Sequence, residues 1–202
     1  MKRRRFWKRF WHYYKWHILF LALVGICIAF ILANVTQKHE PDLSICYMGK
    51  NFINIQTFED NKKIIEDLLH DANDDKKKVA SISAYPVDTE IDLHEIFEKI
   101  AEKDSHQIFI SEKTAFTNYE DKSLFVTANE YVNLSKLGVE TLKDDTGRPY
   151  AISLEKCDFL EKFGIYDATN LYIAALNPLD GEEITKKHKN GRNITQYILT
   201  EE

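Results

Sequence analysis

Glycine and proline are scarce in this chain, at seven and four among 202 residues. Their scarcity excludes a collagen-like or low-complexity stalk and argues for regular, packed structure. The cysteines, Cys27, Cys46 and Cys157, are too few for the dense disulfide framework of a small secreted domain, and their spacing contains no zinc motif. Beyond the first 41 residues positive charge is also in short supply. Residues 1 to 41 hold eight of the 27 Lys and Arg and one of the 32 Asp and Glu, which leaves 19 basic against 31 acidic residues, a net of −12. A body this acidic lacks the clustered cations that bind phosphates, so no nucleic-acid partner is expected.

What the chain does have, in one place, is an uninterrupted apolar run. Residues 18 to 33 (ILFLALVGICIAFILA) carry no charge. With their flanks, 17 to 35, they reach roughly 18–20 residues, about 30 Å of helix, the thickness of a hydrocarbon core. Lys2, Arg3, Arg4, Arg5, Lys8, Arg9 and Lys15 precede the run without an acidic residue, and Trp7, Trp11, Tyr13, Tyr14 and Trp16 suit a headgroup belt. The expectation is a single-pass signal anchor in the plasma membrane, in contact with the lipid bilayer through 17–35, its N-terminus cytoplasmic and the rest extracytoplasmic. A cleaved signal peptide is the rival, with Ile31-Leu32-Ala33 as its site, but the run exceeds the ~7–15 apolar residues such a peptide needs. A lipoprotein signal is opposed by Ile26, which stands where a small residue should precede Cys27. The expected organisation is a basic aromatic tail over 1–16, the anchor over 17–35, a linker over 36–41 and one α/β domain over 42–202.

Hydrophobic patterning fills in that domain. Residues 42 to 48 (DLSICYM) read as a buried strand between Pro41 and Gly49. Thr57 and Asp60 form a capping box opening a helix that carries Phe58, Ile65, Leu68, Leu69 and Ala72 on one face. After the polar turn 73 to 78, residues 79 to 85 (VASISAY) give a second strand, stopped by Pro86. A second capping box, Thr89 and Asp92, opens a helix through Leu93, Ile96, Phe97, Ile100 and Ala101, and residues 107 to 111 (QIFIS) form a third strand. Strand and helix alternating with short connections predict a mainly parallel sheet.

Further on, 123 to 127, 139 to 142 and 150 to 152 are candidate strands, the last two separated by a turn over 144 to 149. Residues 154 to 163 look helical, with Gly164 just past the end and Ile165 as its apolar partner. Residues 171 to 176 (LYIAAL) make a buried strand, 177 to 181 a turn, and Asn193 the cap of a closing helix. Cys46 and Cys157 either pair, if the fold brings their Cα atoms within ~7 Å, or remain buried free thiols, the reading a domain of this size favours.

Motifs for catalysis are missing from the pattern. Ser81, Ser83, Ser111 and Ser153 have no Gly-x-Ser-x-Gly surround. His70, His94, His106 and His188 show no zincin spacing, and Asp71-Ala72-Asn73-Asp74-Asp75 departs from a calcium loop at Lys76 and Ile82. No enzymatic activity, cofactor or metal is expected.

Two stretches carry a family resemblance. The first strand, the helix ending Ile100-Ala101-Glu102-Lys103-Asp104, the strand Ile108-Phe109-Ile110 and the following Ser111-Glu112-Lys113-Thr114-Ala115-Phe116 resemble the first lobe of bacterial extracellular solute-binding proteins of the type 2 periplasmic-binding fold. Gly147-Arg148-Pro149-Tyr150-Ala151-Ile152-Ser153 is similar to that family's return strand, Gly-x-x-Tyr-Gly-Ile-Pro, while Lys103 and Ala151 stand where the family tends to have Gly. The resemblance implies a degenerate, single-lobe relative, an α/β module without the second lobe that closes a ligand cleft.

In an open parallel sheet a ligand would sit beyond the carboxyl ends of the strands, which singles out Tyr47, Gly49, Tyr85 and Ser111. Tyrosines at strand ends also cap cores, and both roles stay open at this point. The functional expectation is a non-catalytic, membrane-anchored interaction or accessory module with a membrane or envelope protein as partner. The alternative is a solute-binding or sensing subunit beside a membrane transporter, with a small solute as ligand.

Overall fold

The computed structural model describes residues 11, 13–17, 19–29, 40–50, 53–86, 106–178 and 184–201. The chain divides into two compact units, Met1–Glu40 and Pro41–Glu202.

In the first unit the described residues 11, 13–17 and 19–29 are helical and exposed. Tyr14 meets the His17 ring edge-on at 6.1 Å, and the Lys15 ammonium lies 5.8 Å from the Trp16 ring. Among the described residues no helix is long and apolar enough to cross a membrane. Residues 18 and 30–35 of the expected anchor, and 1–10 of the basic tail, lie outside the described residues. The single-pass signal anchor and the plasma-membrane placement built on it are corrected accordingly.

The second unit is built on a six-stranded sheet. Its strands are β1 (Leu43–Gly49), β2 (Ala80–Pro86), β3 (Ile108–Glu112), β4 (Thr141–Lys143), β5 (Pro149–Ser153) and β6 (Leu171–Ala175), in the order β2-β1-β3-β6-β5-β4. β1 runs parallel to β2 and β3, whereas the β3–β6, β6–β5 and β5–β4 pairings are antiparallel. The sheet is therefore mixed, and the expectation of a mainly parallel one is corrected. The reason lies in the connections. β4 and β5 are joined by a tight turn in which the Gly147 N–H donates to the Asp144 carbonyl (2.9 Å) with Gly147 at φ +81°, and a turn that short can return the chain only antiparallel.

Around the sheet lie α1 (Ile55–Asn61), α2 (Lys63–Glu66), α3 (Lys113–Asn118), α4 (Leu134–Leu137) and α5 (Lys186–Thr200). Three 3-10 turns, Lys122–Leu124, Ala128–Glu130 and Asp158–Phe163, replace the expected strand at 123 to 127 and helix at 154 to 163. Gly164 does end the last of these in the left-handed region, and the Ile165 N–H donates back to Leu160. The caps differ from the sequence reading. α1 is capped by Asn54, whose side chain accepts from the Gln56 and Thr57 amides, and α5 by Thr185, so Asn193 falls inside the helix. A helix start follows whichever side chain reaches the free amides, and several Asn and Thr residues compete for that role. The helix expected over 89–101 lies outside the described residues.

All seven residues of β1 are buried, so both faces of the sheet are covered. On one face Leu43, Ile45, Tyr47, Ile110, Ile152 and Ile173 pack with Phe58, Phe163, Ile194 and Ile198. On the other, Cys46, Met48, Phe109 and Tyr172 pack with Phe116, Phe125 and Tyr150, and the Phe125 and Tyr150 rings stack at 5.4 Å. Cys46 and Cys157 pack into different faces and both are free thiols.

Candidate functional site

Three parallel strands present their carboxyl ends along one rim, the place where an open α/β sheet collects ligands. Register puts Met48 of β1 between Tyr85 of β2 and Ser111 of β3, so the four residues singled out from sequence lie at neighbouring strand ends. Their side chains do not converge. Tyr47 belongs to the face shared with Ile45 and Ile110, whereas Tyr85 packs on the face of Met48 and Phe109.

Each of the four is already engaged. Tyr47 is 2% exposed, and a Cβ on Gly49 would come within 2.8 Å of its hydroxyl, so glycine is what admits the ring. Burial, reinforced by the carboxylates of Glu112 and Asp167, pushes the Tyr47 hydroxyl up to about 12. Ser111 is fully buried and its hydroxyl donates to the Met48 carbonyl at 2.8 Å. The Tyr85 ring, half-buried, meets His106 edge-on at 6.4 Å.

Other residues make up the solvent side of the rim. The Lys50 N–H donates to Glu112 Oε1 (3.2 Å), and its ammonium lies 3.8 Å from Oε2. Lys113 Nζ donates to Glu140 Oε1 (2.7 Å) and sits 5.9 Å from the Tyr172 ring. That hydrogen bond holds Glu140 below the usual carboxylate range and raises Lys113, while burial and then Glu140 raise the Tyr172 hydroxyl.

α1 begins at the same rim. The Asn54 N–H donates to the Gly164 carbonyl (3.0 Å), and a Cβ on Gly164, at φ +77°, would collide with the Asn54 carbonyl. Glycine therefore lets the loop before β6 lie against the start of α1. There the Thr57 and Tyr166 hydroxyls are 3.3 Å apart, with Tyr166 63% and Ile55 50% exposed.

Several polar and thiol side chains of the sheet are buried or bonded internally. Burial pushes the Cys46 thiol well above its ordinary range and lowers His106 to about 4. The Ser44 and Ser81 hydroxyls bond each other at 3.1 Å, and the Cys157 thiol donates to the Ile198 carbonyl. Among the described residues no group of three or more His, Cys, Asp and Glu is placed to hold a metal ion.

Glu112 and Lys113 directly follow the third strand in sequence and were within reach of a strand-end argument. Glu140, Tyr166 and Tyr172 come from distant segments, and no spacing in the chain announces them. Comparison with known proteins gives no match to a family model, to a curated protein or to a solved structure.

Proposed function

We propose that the second unit is a non-catalytic interaction module on a solute-binding-protein-like lobe, and that it docks a polypeptide partner at the rim formed by Ile55, Tyr166, Lys50 and Lys113. The observation that carries this reading is the division of labour at the rim. Groups that could do chemistry are spent inward, the Ser111 hydroxyl on Met48 and the Tyr47 ring on Gly49. Large side chains are left outward, Ile55 and Tyr166 being half or more exposed, and the same side carries the Lys50–Glu112 and Lys113–Glu140 ion pairs after β1 and β3. Aromatic anchors ringed by polar groups are the usual make-up of protein interfaces. The acid excess of the body favours a polypeptide over a nucleic acid. The solute-binding alternative needs Tyr47 and Ser111 to face a ligand, and both are buried.

The test uses the full chain carrying a photo-crosslinking residue at position 166. One discrete adduct is expected, lost when Ile55 is changed to Asp and retained when exposed Gln196 is changed to Ala. A sugar or amino acid that stabilises the chain and loses its effect on Tyr85→Ala would overturn the reading in favour of solute binding.

A further inference from the structure

The sheet ends differently on its two sides. β4 is three residues long, carries exposed Lys143 and is broken by a register shift between Leu142 and Lys143. A short, charged, irregular edge of that kind resists pairing with another chain. β2, at the other end of the order, is seven residues long, carries no charge from Ala80 to Pro86 and keeps an unbroken register with β1. Among the described residues no strand lies beyond it. An edge left so plain is a template for one more strand.

Backbone geometry marks out which groups of that edge are open. The Val79 carbonyl accepts from the Asp42 and Leu43 amides, so the odd-numbered residues of β2 turn their backbone groups toward β1. Ala80, Ile82, Ala84 and Pro86 therefore turn theirs outward. At one limit the Ala80 N–H is taken by Glu66 Oε1 (3.2 Å), and at the other Pro86 has no N–H to give. What remains is a window formed by the amides and carbonyls of Ile82 and Ala84, centred on the small, half-buried side chain of Ser83.

We infer that this window pairs with the same window of a second copy of the chain, antiparallel about a two-fold axis at Ser83. Ile82 then lies opposite Ala84 of the second copy and exchanges both backbone bonds with it, and the axis repeats the exchange, so every open amide and carbonyl of the window is satisfied. The two Ser83 residues meet as the close, non-hydrogen-bonded pair, about 4.5 Å between Cα atoms, where a small hydroxyl side chain fits and can bond its counterpart. Ala80, its amide already spent on Glu66, meets Pro86 of the second copy, which cannot donate, so the ladder stops in both copies at the same limits. A foreign strand would carry its own ladder onto Ala80 and compete with Glu66 there. β2 contributes no residue to the docking rim, so the inference does not rest on that reading.

The experiment is sedimentation velocity of the full chain over a concentration series, paired with mild oxidation of cysteine variants in which the exposed Cys27 is first changed to Ser. A reversible equilibrium of monomer and dimer is expected. Ser83→Cys should give a disulfide-linked dimer, since the paired Cα atoms fall within the ~4.4–6.8 Å that a disulfide spans. Ser81→Cys, placed opposite Tyr85 of the second copy, should not. Ala84→Pro removes an outward N–H without touching the β1 ladder and should weaken the dimer at least tenfold. A chain that stays monomeric throughout the series, equal crosslinking at 81 and 83, or a folded Ala84→Pro variant that dimerises like the wild type would each overturn the inference, the last by moving self-association to another surface. If the proline variant fails to fold, the contrast between positions 81 and 83 decides.

Discussion

The Ser111 hydroxyl donates to the Met48 carbonyl at 2.8 Å, a side-chain bond laid across the parallel β1–β3 ladder inside a fully buried site. It explains why a serine at a strand end, which sequence reasoning marks for a ligand, serves the sheet instead. Ser111→Ala should cost about 1 kcal/mol, the net worth of a neutral buried hydrogen bond. Urea unfolding should show the midpoint lowered and the slope unchanged, while crosslinking from position 166 stays as in the wild type.

Two glycines are fixed by close approach. A Cβ on Gly191 would lie 2.9 Å from the Gln107 Cβ and push α5 off β3, and one on Gly164 would strike the Asn54 carbonyl from a left-handed backbone. Alanine at 191 should destabilise by about 1–3 kcal/mol through overpacking. Alanine at 164 should cost at least as much, since strain and collision add, whereas alanine at the open Gly138 position suffers only its positive φ. Thermal unfolding of the three variants ranks them.

Asn190 ties three separate segments together, and no substitution by an apolar residue can replace its bonds to the His70 N–H and carbonyl. Asn190→Ala should lose about 2–4 kcal/mol, because a buried amide and carbonyl are left unpaired and a cavity opens. Hydrogen exchange should show the His70 amide losing protection first.

His106 is lowered by burial from its ordinary 6.5 to about 4. Below about 6.5 the unfolded chain takes up a proton that the folded chain refuses, so stability falls as pH drops from about 6.5 to about 4 and this contribution levels off beneath that. The His106→Gln variant should have a flatter melting temperature across that interval than the wild type. An identical slope would assign the pH dependence to other groups.

Ile55→Asp and Tyr166→Ala alter side chains that are half or more in solvent. Both should leave stability within about 0.5 kcal/mol of the wild type. Any loss of partner crosslinking in these variants then reports the surface and not the fold.

The three parallel strands and the turn over 144 to 149 were legible because their signals are local. Alternation marks β1 and β2, and Asp-Asp-Thr-Gly marks the hairpin. Strand direction has no such signal, since an apolar run such as Leu171–Ala175 reads the same whichever way it lies against its neighbour. The N-terminal run misled for a related reason: apolarity shows that a stretch avoids water, not that it forms a membrane-spanning helix, and among the described residues no helix is long and apolar enough to cross.

By itself the sequence determined the buried strands and the loop glycine at 164, because each depends on residues adjacent in the chain. It also determined the acidic balance, which is a count. The tertiary structure alone decided that Tyr47 and Tyr85 face opposite sides of the sheet. It also decided that Glu140 and Tyr172 meet Lys113, and that Asp71 faces the first turn of α5. Those relationships join segments dozens of residues apart, and only packing, which selects one register and one strand direction among many, brings them into contact.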